Sequence, residues 1–161
     1  MRLSTRGRYA VMAMVELAAR DTGDCVASGA GIPASRPVSL ADIAKAQQLS
    51  VAYLEQLFGP LRRAGLVASA RGPGGGYRLA RPAAQISVSA IIDAVDEPLR
   101  ATRCEEGSPG CLSGHRCLTH DLWSELGEQI RLFLVHVSLA DVVAGNVCGR
   151  ATIPLADGAV P

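Results

Sequence analysis

The chain has 161 residues, 48% of them hydrophobic, and a formal net charge of +1, enough for one packed domain with an appended arm and too apolar for wholesale disorder. No run approaches the roughly 18 consecutive apolar residues of a membrane-spanning helix, and the basic start MRLSTRGRYA lacks the apolar stretch of a signal peptide, so no membrane partner and a cytoplasmic location are expected. Five cysteines, an odd number without an export signal, argue against a disulfide framework and for a metal site or a reactive thiol.

The near-neutral total conceals an asymmetry. Residues 1–82 carry eleven basic side chains against five acidic ones, whereas the rest carry five against ten. A basic first half joined to an acidic second half suggests a polyanion-binding module linked to something else; an ordinary solvated surface is the plainer alternative.

From Tyr9 the stretch YAVMAMVELAAR is rich in Ala, Met and Leu and predicts a buried first helix. Residues 21–37, DTGDCVASGAGIPASRP, are dominated by Gly, Pro and Ser and predict a surface loop insertion. Ser39 then opens an S-x-x-D capping pattern with Leu40, Ile43 and Ala44 as a short apolar face. A turn around Gln47–Leu49 leads to Ser50, a natural N-cap. After it Leu54, Leu57, Phe58 and Leu61 repeat at i, i+3, i+4, i+7, the stripe of an amphipathic helix. Two short helices joined by a tight turn predict a helix-turn-helix, and two packed helices without a ligand are the alternative.

LVASARGPGGGYRLA shifts the balance toward the first. Two short strand-like runs flank a turn holding four glycines and a proline, which predicts a β-hairpin. A phosphate-cradling glycine loop would open a helix at its far end, but Tyr77-Arg78-Leu79 continues as a strand. A helix-turn-helix followed at once by a hairpin is the order of a winged helix, with Arg71 at the base of the wing. Ser87 caps a further short helix. From Leu118 to about Ser138 a long helix carries Leu122, Leu126, Ile130, Phe133 and Val137 in a near-heptad seam, widened by Leu132 and Leu134. So long an apolar stripe on so small a protein predicts a homodimer, with two copies of the helix antiparallel or crossed. SLADVVAG repeats the S-x-x-D start as a short final helix.

Before the long helix, RCEEGSPGCLSGHRCLTH (residues 103–120) gathers Cys104, Cys111, Cys117 and His120 at separations of 7, 6 and 3. Cys117 and His120 at i, i+3 are expected on one helical face. Three thiolates so close together signal a metal centre. Cys₃His is a known zinc set, usually built on C-x₂-C knuckles; the wider spacing here suits an iron–sulfur cluster somewhat better, and zinc stays open. His115 competes with His120 as fourth ligand, while Cys25 and Cys148 receive no role. A nucleophilic cysteine would need a base and a pocket, and nothing in the sequence assembles them, so no enzyme is expected.

The expected architecture is mainly α with a small β-hairpin wing. Residues 1–84, with the 21–37 insertion, form a winged helix-turn-helix DNA-binding domain; 85–117 form a short helix and ligand loop; 118–145 form a dimerisation helix and a short following helix; 146–161 form a flexible tail. With the recognition helix in a major groove of double-stranded DNA, Ala52, Tyr53, Glu55 and Gln56 lie near base edges. Arg71 suits a minor groove, and Arg6, Arg8, Arg62 and Arg63 suit phosphates.

MRLSTRGRYAVMAM, LADIAKAQQLSVAYLEQLFGPLRRAGLV, RGPGGGY and LRATRCEEGSPGCLSGHRCLTHDLW together resemble the IscR-type iron–sulfur cluster regulators, a bacterial winged-helix repressor family, from Met1 to about Gly145. The resemblance implies a dimeric transcription factor that holds a [2Fe–2S] cluster through Cys104, Cys111, Cys117 and His120. It further implies control of cluster-assembly genes, with DNA affinity or site choice depending on cluster occupancy. Other members sense nitric oxide or redox state with similar ligands. The chain departs from the pattern in three places. Cys104 and Cys111 stand one residue further apart, the 21–37 insertion is longer, and Gly59-Pro60 falls inside the recognition helix, where proline removes a backbone bond, tends to kink, and so bears on the reach of Arg62 and Arg63.

Overall fold

The computed structural model describes residues 5–21, 36–72, 74–95 and 118–147. The expected insertion (apart from residues 21, 36 and 37), the cysteine loop and the tail beyond residue 147 lie outside these. Among the described residues no helix is long and apolar enough to cross a membrane.

Helix α1 (Thr5–Asp21) turns Ala10, Ala13, Met14, Leu17 and Ala18 into the core, where each is fully buried. Helix α2 (Leu40–Gln47) starts where the S-x-x-D pattern places it: the Ser39 hydroxyl accepts from the Asp42 N–H at 3.1 Å and donates to Asp42 Oδ2 at 2.7 Å. The turn after it is closed by Gln48 in the left-handed region (φ 54), and Leu49 N–H reaches the Ala44 carbonyl at 3.0 Å. Helix α3 (Val51–Arg63) is capped by Ser50, whose hydroxyl accepts from Tyr53 N–H at 3.1 Å, and it buries Leu54, Leu57, Phe58 and Leu61.

Pro60 does not end α3, which runs on to Arg63, with Ala64 N–H donating to the Pro60 carbonyl at 2.9 Å. Gly59 explains the tolerance, because a proline ring crowds a preceding residue's Cβ in helical conformation and glycine has none. The helix ends at Gly65 (φ 68), where Gly65 N–H bonds to Arg62 O and Leu66 N–H to Leu61 O, each at 3.0 Å. This pairing is a Schellman motif that satisfies the last carbonyls of α3.

Strands β1 (Val67–Ala70) and β2 (Gly76–Leu79) pair antiparallel, with Val67 opposite Leu79 and Ala70 opposite Gly76. Val38, just before α2, bridges to the other edge of β2 through two 2.8 Å hydrogen bonds with Tyr77. After a 3₁₀ turn (Ala83–Gln85), helix α4 (Val88–Ala94) begins at Ser87, whose hydroxyl accepts from Ala90 N–H.

Helix α5 (His120–His136) is shorter than expected at both ends, and α6 (Leu139–Val143) follows with a full capping box between Ser138 and Asp141. Val137 leaves the helix and is buried in the domain beside Val88 and Ile92, with Leu134 packed against them. The predicted seam is therefore divided. Its lower end covers the chain's own core, while Leu122, Leu126 and Phe133 stay exposed, Leu122 at 62%. The division follows from a backbone pairing that periodicity does not reveal: Val88 N–H donates to Val137 O at 2.9 Å and Leu139 N–H to Ile86 O at 2.8 Å. That pairing also makes Ser138 the N-cap of α6 and so stops α5 at His136.

Candidate nucleic-acid interface

Burial of Leu54, Leu57, Phe58 and Leu61 leaves the opposite face of α3 in solvent. That face carries Val51, Ala52, Glu55 and Gln56 near the N-terminus and Arg62 and Arg63 at the far end, all exposed. Tyr53 is placed differently from its neighbours. It is half-buried, with its ring edge-on to Tyr9 at 5.9 Å and 89°, and this contact sets the N-terminal half of α1, with exposed Arg6 and Arg8, beside the start of α3.

The α1–α2 junction is held by a polar triad. Arg20 Nε donates to Glu16 Oε1 at 2.6 Å and Gln47 Nε2 to Glu16 Oε2 at 2.8 Å. The Arg20 hydrogen bond holds the Glu16 carboxyl below the usual carboxylate range, against the opposing effect of partial burial. A lowered carboxyl pKa adds stability above the ordinary carboxylate value, and that contribution is lost as pH falls through the folded-state value.

The wing turn starts at Arg71, which is exposed. Gly72 (φ 110) and Gly74 (φ 79) adopt the left-handed backbone expected of a tight tip, which side-chain-bearing residues rarely take. Arg78 is exposed on β2 opposite Ala68, while its neighbours Tyr77 and Leu79 face inward; Tyr77 meets Phe58 of α3 with ring centroids 4.7 Å apart. Arg62, Arg63, Arg71 and Arg78 are exposed and pair with no carboxylate among the described residues. One surface thus presents a capped helix with Gln, Glu and small residues at its tip, flanked by exposed arginines, the arrangement that phosphate positioning and base-edge readout require.

Of the four candidate metal ligands, Cys104, Cys111 and Cys117 lie outside the described residues. His120 is the first residue of α5, and Leu118 and Thr119 precede the helix as a turn. The expected shared helical face of Cys117 and His120 is not placed by His120 alone, since Cys117 lies outside the described residues. The His120 Nδ1 atom is buried and has no hydrogen-bond partner among the described residues. A buried ring nitrogen left unpaired is costly unless something takes its lone pair or its proton, so His120 fits a ligand role, and thiolates with an imidazole form a donor set for a soft or borderline metal. Among the described residues no three metal-binding side chains converge.

Sequence periodicity missed several parts of this surface. Val51, an apolar residue 41% exposed at the helix tip, has no pattern to announce it. The Val38 bridge and the Tyr9–Tyr53 and Glu16–Gln47 contacts depend on pairings distant in sequence.

The sequence profile of the Rrf2 family, described as an iron-dependent transcriptional regulator, matches residues 3–145. The chain is 50% identical over 143 residues to the HTH-type transcriptional regulator IscR of Yersinia pseudotuberculosis, covering 89% of this chain and 79% of that protein. Among solved structures it is similar to T. potens IscR (TM-score 0.66, 35% identity, 90% of this chain and 88% of that one). It is also similar to CymR, the global cysteine regulator of B. subtilis (TM-score 0.70, 31% identity, 90% of this chain and 98% of that one).

Proposed function

The chain belongs to the Rrf2 family of transcriptional regulators, and from that premise we propose that it is a homodimeric DNA-binding regulator that senses iron–sulfur status through a [2Fe–2S] cluster and controls cluster-assembly genes. The observation that carries the DNA part is the exposed stripe of α3 beside a glycine-tipped wing, both carrying exposed arginines. The tip of α3 enters a major groove, where Gln56 pairs with adenine and Glu55 accepts from the cytosine amino group. Glu55 repels phosphate, so it selects sequences rather than adding affinity. Arg71 enters the adjacent minor groove, and Arg6, Arg8, Arg62 and Arg63 meet phosphates.

Cys104, Cys111, Cys117 and His120 hold the cluster, a reading supported by the donor set and by the buried His120 Nδ1, unpartnered among the described residues. When bound, the cluster supplies a one-electron couple whose potential the surrounding protein tunes. The chain's own part is mechanical. Residues 85–117 join the reading unit (1–84) to the arm (118–145), and the hydrogen bonds around Ser87 and Ser138 pin the base of that arm to the core. Cys104, Cys111, Cys117 and His120 would tie the other end to the bound cluster, since metal-binding free energy can couple to loop conformation. In the dimer, Leu122, Trp123, Leu126 and Phe133, large apolar side chains exposed along α5, pack against their copies and set the spacing of the two reading heads.

Two variants test the docking. Arg71→Ala lowers affinity for a promoter duplex by about tenfold or more, the order expected for one charged groove contact. Glu55→Ala leaves affinity nearly intact and relaxes preference at one base position. Binding titrations against a panel of single-base operator variants check both, and parent-like behaviour of both variants on every duplex contradicts the docking.

A further inference from the structure

Helix α3 and the wing are consecutive in the chain and are joined only by Ala64, Gly65 and Leu66. The Schellman motif satisfies the carbonyls of Leu61 and Arg62 but leaves those of Ala64 and Gly65 directed past the helix end. Arg81, two residues beyond the returning strand β2, takes both. Its Nε donates to Gly65 O at 3.1 Å and its Nη2 to Ala64 O at 3.2 Å, across 16 and 17 residues of sequence. The guanidinium also lies against Gly65, where a Cβ would stand 3.6 Å from Nη2. A planar fork reaches two carbonyls at once, which the single ammonium of lysine does not reproduce, and a cation at a helix C-terminus is favoured by the helix dipole.

We infer that Arg81 is a positioning residue that fixes the angle between the recognition helix and the wing, and thereby the reach of the two into neighbouring grooves. It acts without touching DNA. The inference rests on the DNA-binding reading above. The Phe58–Tyr77 ring contact joins the same two elements within the core. Buried Leu61 and Leu79 and the 3.0 Å bond from Ala80 N–H to Leu66 O hold them too, but Arg81 is the side chain that bridges the base of the wing to the helix end, so its loss lets the wing tilt about these remaining contacts and shifts the turn that carries Arg71.

Arg81 is itself an exposed cation, and a direct phosphate contact is the competing role. Arg81→Lys separates the two, because lysine keeps the charge that meets a phosphate but loses the two-pronged clamp. The probe is a labelled duplex selected by the parent protein from a random-sequence pool, with an unselected duplex as reference. Affinities are referred to the folded fraction, which thermal unfolding of each variant supplies. Positioning predicts that Arg81→Lys and Arg81→Ala lose affinity for the selected duplex to a similar degree.

A double-mutant cycle adds a readout that simple destabilisation does not move. Arg71→Ala costs about tenfold in the parent and about threefold or less in either Arg81 variant, since a displaced wing has little contact left to lose. With Arg71 already replaced, adding Arg81→Ala leaves the salt dependence of binding unchanged, whereas loss of a phosphate contact lowers the slope by about 0.9. An Arg81→Lys variant that binds like the parent, an additive cycle, or a reduced slope overturns the inference and leaves the DNA-binding reading standing. A parent protein that selects no duplex overturns both.

Discussion

Gly76→Ala lowers affinity for operator DNA by more than tenfold and destabilises the fold, although it adds a single methyl group. A Cβ at this position would stand 2.3 Å from the Val38 carbonyl oxygen, 2.6 Å from the Val38 carbonyl carbon and 3.0 Å from the Ser39 nitrogen. All three are backbone atoms, so no rotamer change relieves the overlap. Either Val38 withdraws and gives up its two hydrogen bonds to Tyr77, or β2 moves away and takes the wing with it. Two lost backbone bonds are worth about 2 kcal/mol, and the displacement also reaches Ser39, the N-cap of α2. Gly76 is thus required for close approach and not for an unusual backbone angle, in contrast to Gly72 and Gly74. Duplex titration together with urea unfolding measures both effects. A variant with parent-like affinity and midpoint contradicts the close approach of Val38 to the wing.

Phe58→Ala is expected to cost about 3–5 kcal/mol, the range for truncating a fully buried aromatic side chain, and this is the largest loss of stability foreseen for any single replacement in the DNA-reading unit. Phe58 is completely buried on the inner face of α3 and meets the Tyr77 ring at 4.7 Å and 61°. Its removal leaves a cavity between helix and wing and deletes an edge-type ring contact worth about 0.5–1.5 kcal/mol beyond burial. Small domains are stable by only about 5–15 kcal/mol, so the variant loses a large share of its margin. The urea midpoint should fall with little change in slope. Retention of the parent midpoint would mean that the core is not centred on α3.

Elements set by local chemistry were legible in the sequence. The i, i+3, i+4, i+7 run from Leu54 to Leu61 gave the inner face of α3, and the serines at 39, 50, 87 and 138 each cap a helix because a hydroxyl two or three residues ahead of free N–H groups needs no distant partner. The glycine-rich turn announced the hairpin for the same reason. Tertiary pairings were not legible. Val38 offers no strand-like run, and its place beside Tyr77 arises only when the hairpin exists. The same holds for the bridge between Ser87 and Ser138, which pulls Val137 out of the apparent seam of α5 and into the core. Pro60 shows the limit of a residue-level rule, since its expected disruption is absorbed by Gly59 and by the Schellman ending at Gly65.

The candidate ligand set is a reading of chemistry, from the gathering of three cysteines and His120, and not of geometry. An i, i+3 spacing implies a shared helical face only when both residues are helical, a condition the spacing itself does not contain. What the fold adds is the buried Nδ1 of that histidine without a partner among the described residues, a property no spacing rule contains.

The central claim is that Cys104, Cys111, Cys117 and His120 hold an iron–sulfur cluster. It is tested most directly by iron, zinc and acid-labile sulfide analysis of the anaerobically purified protein, alongside its visible spectrum. The account predicts a coloured protein with iron and sulfide in equal amounts, two of each per protomer, and loss of both colour and iron when any of the three cysteines is replaced by alanine. A colourless protein carrying one zinc per protomer would contradict it.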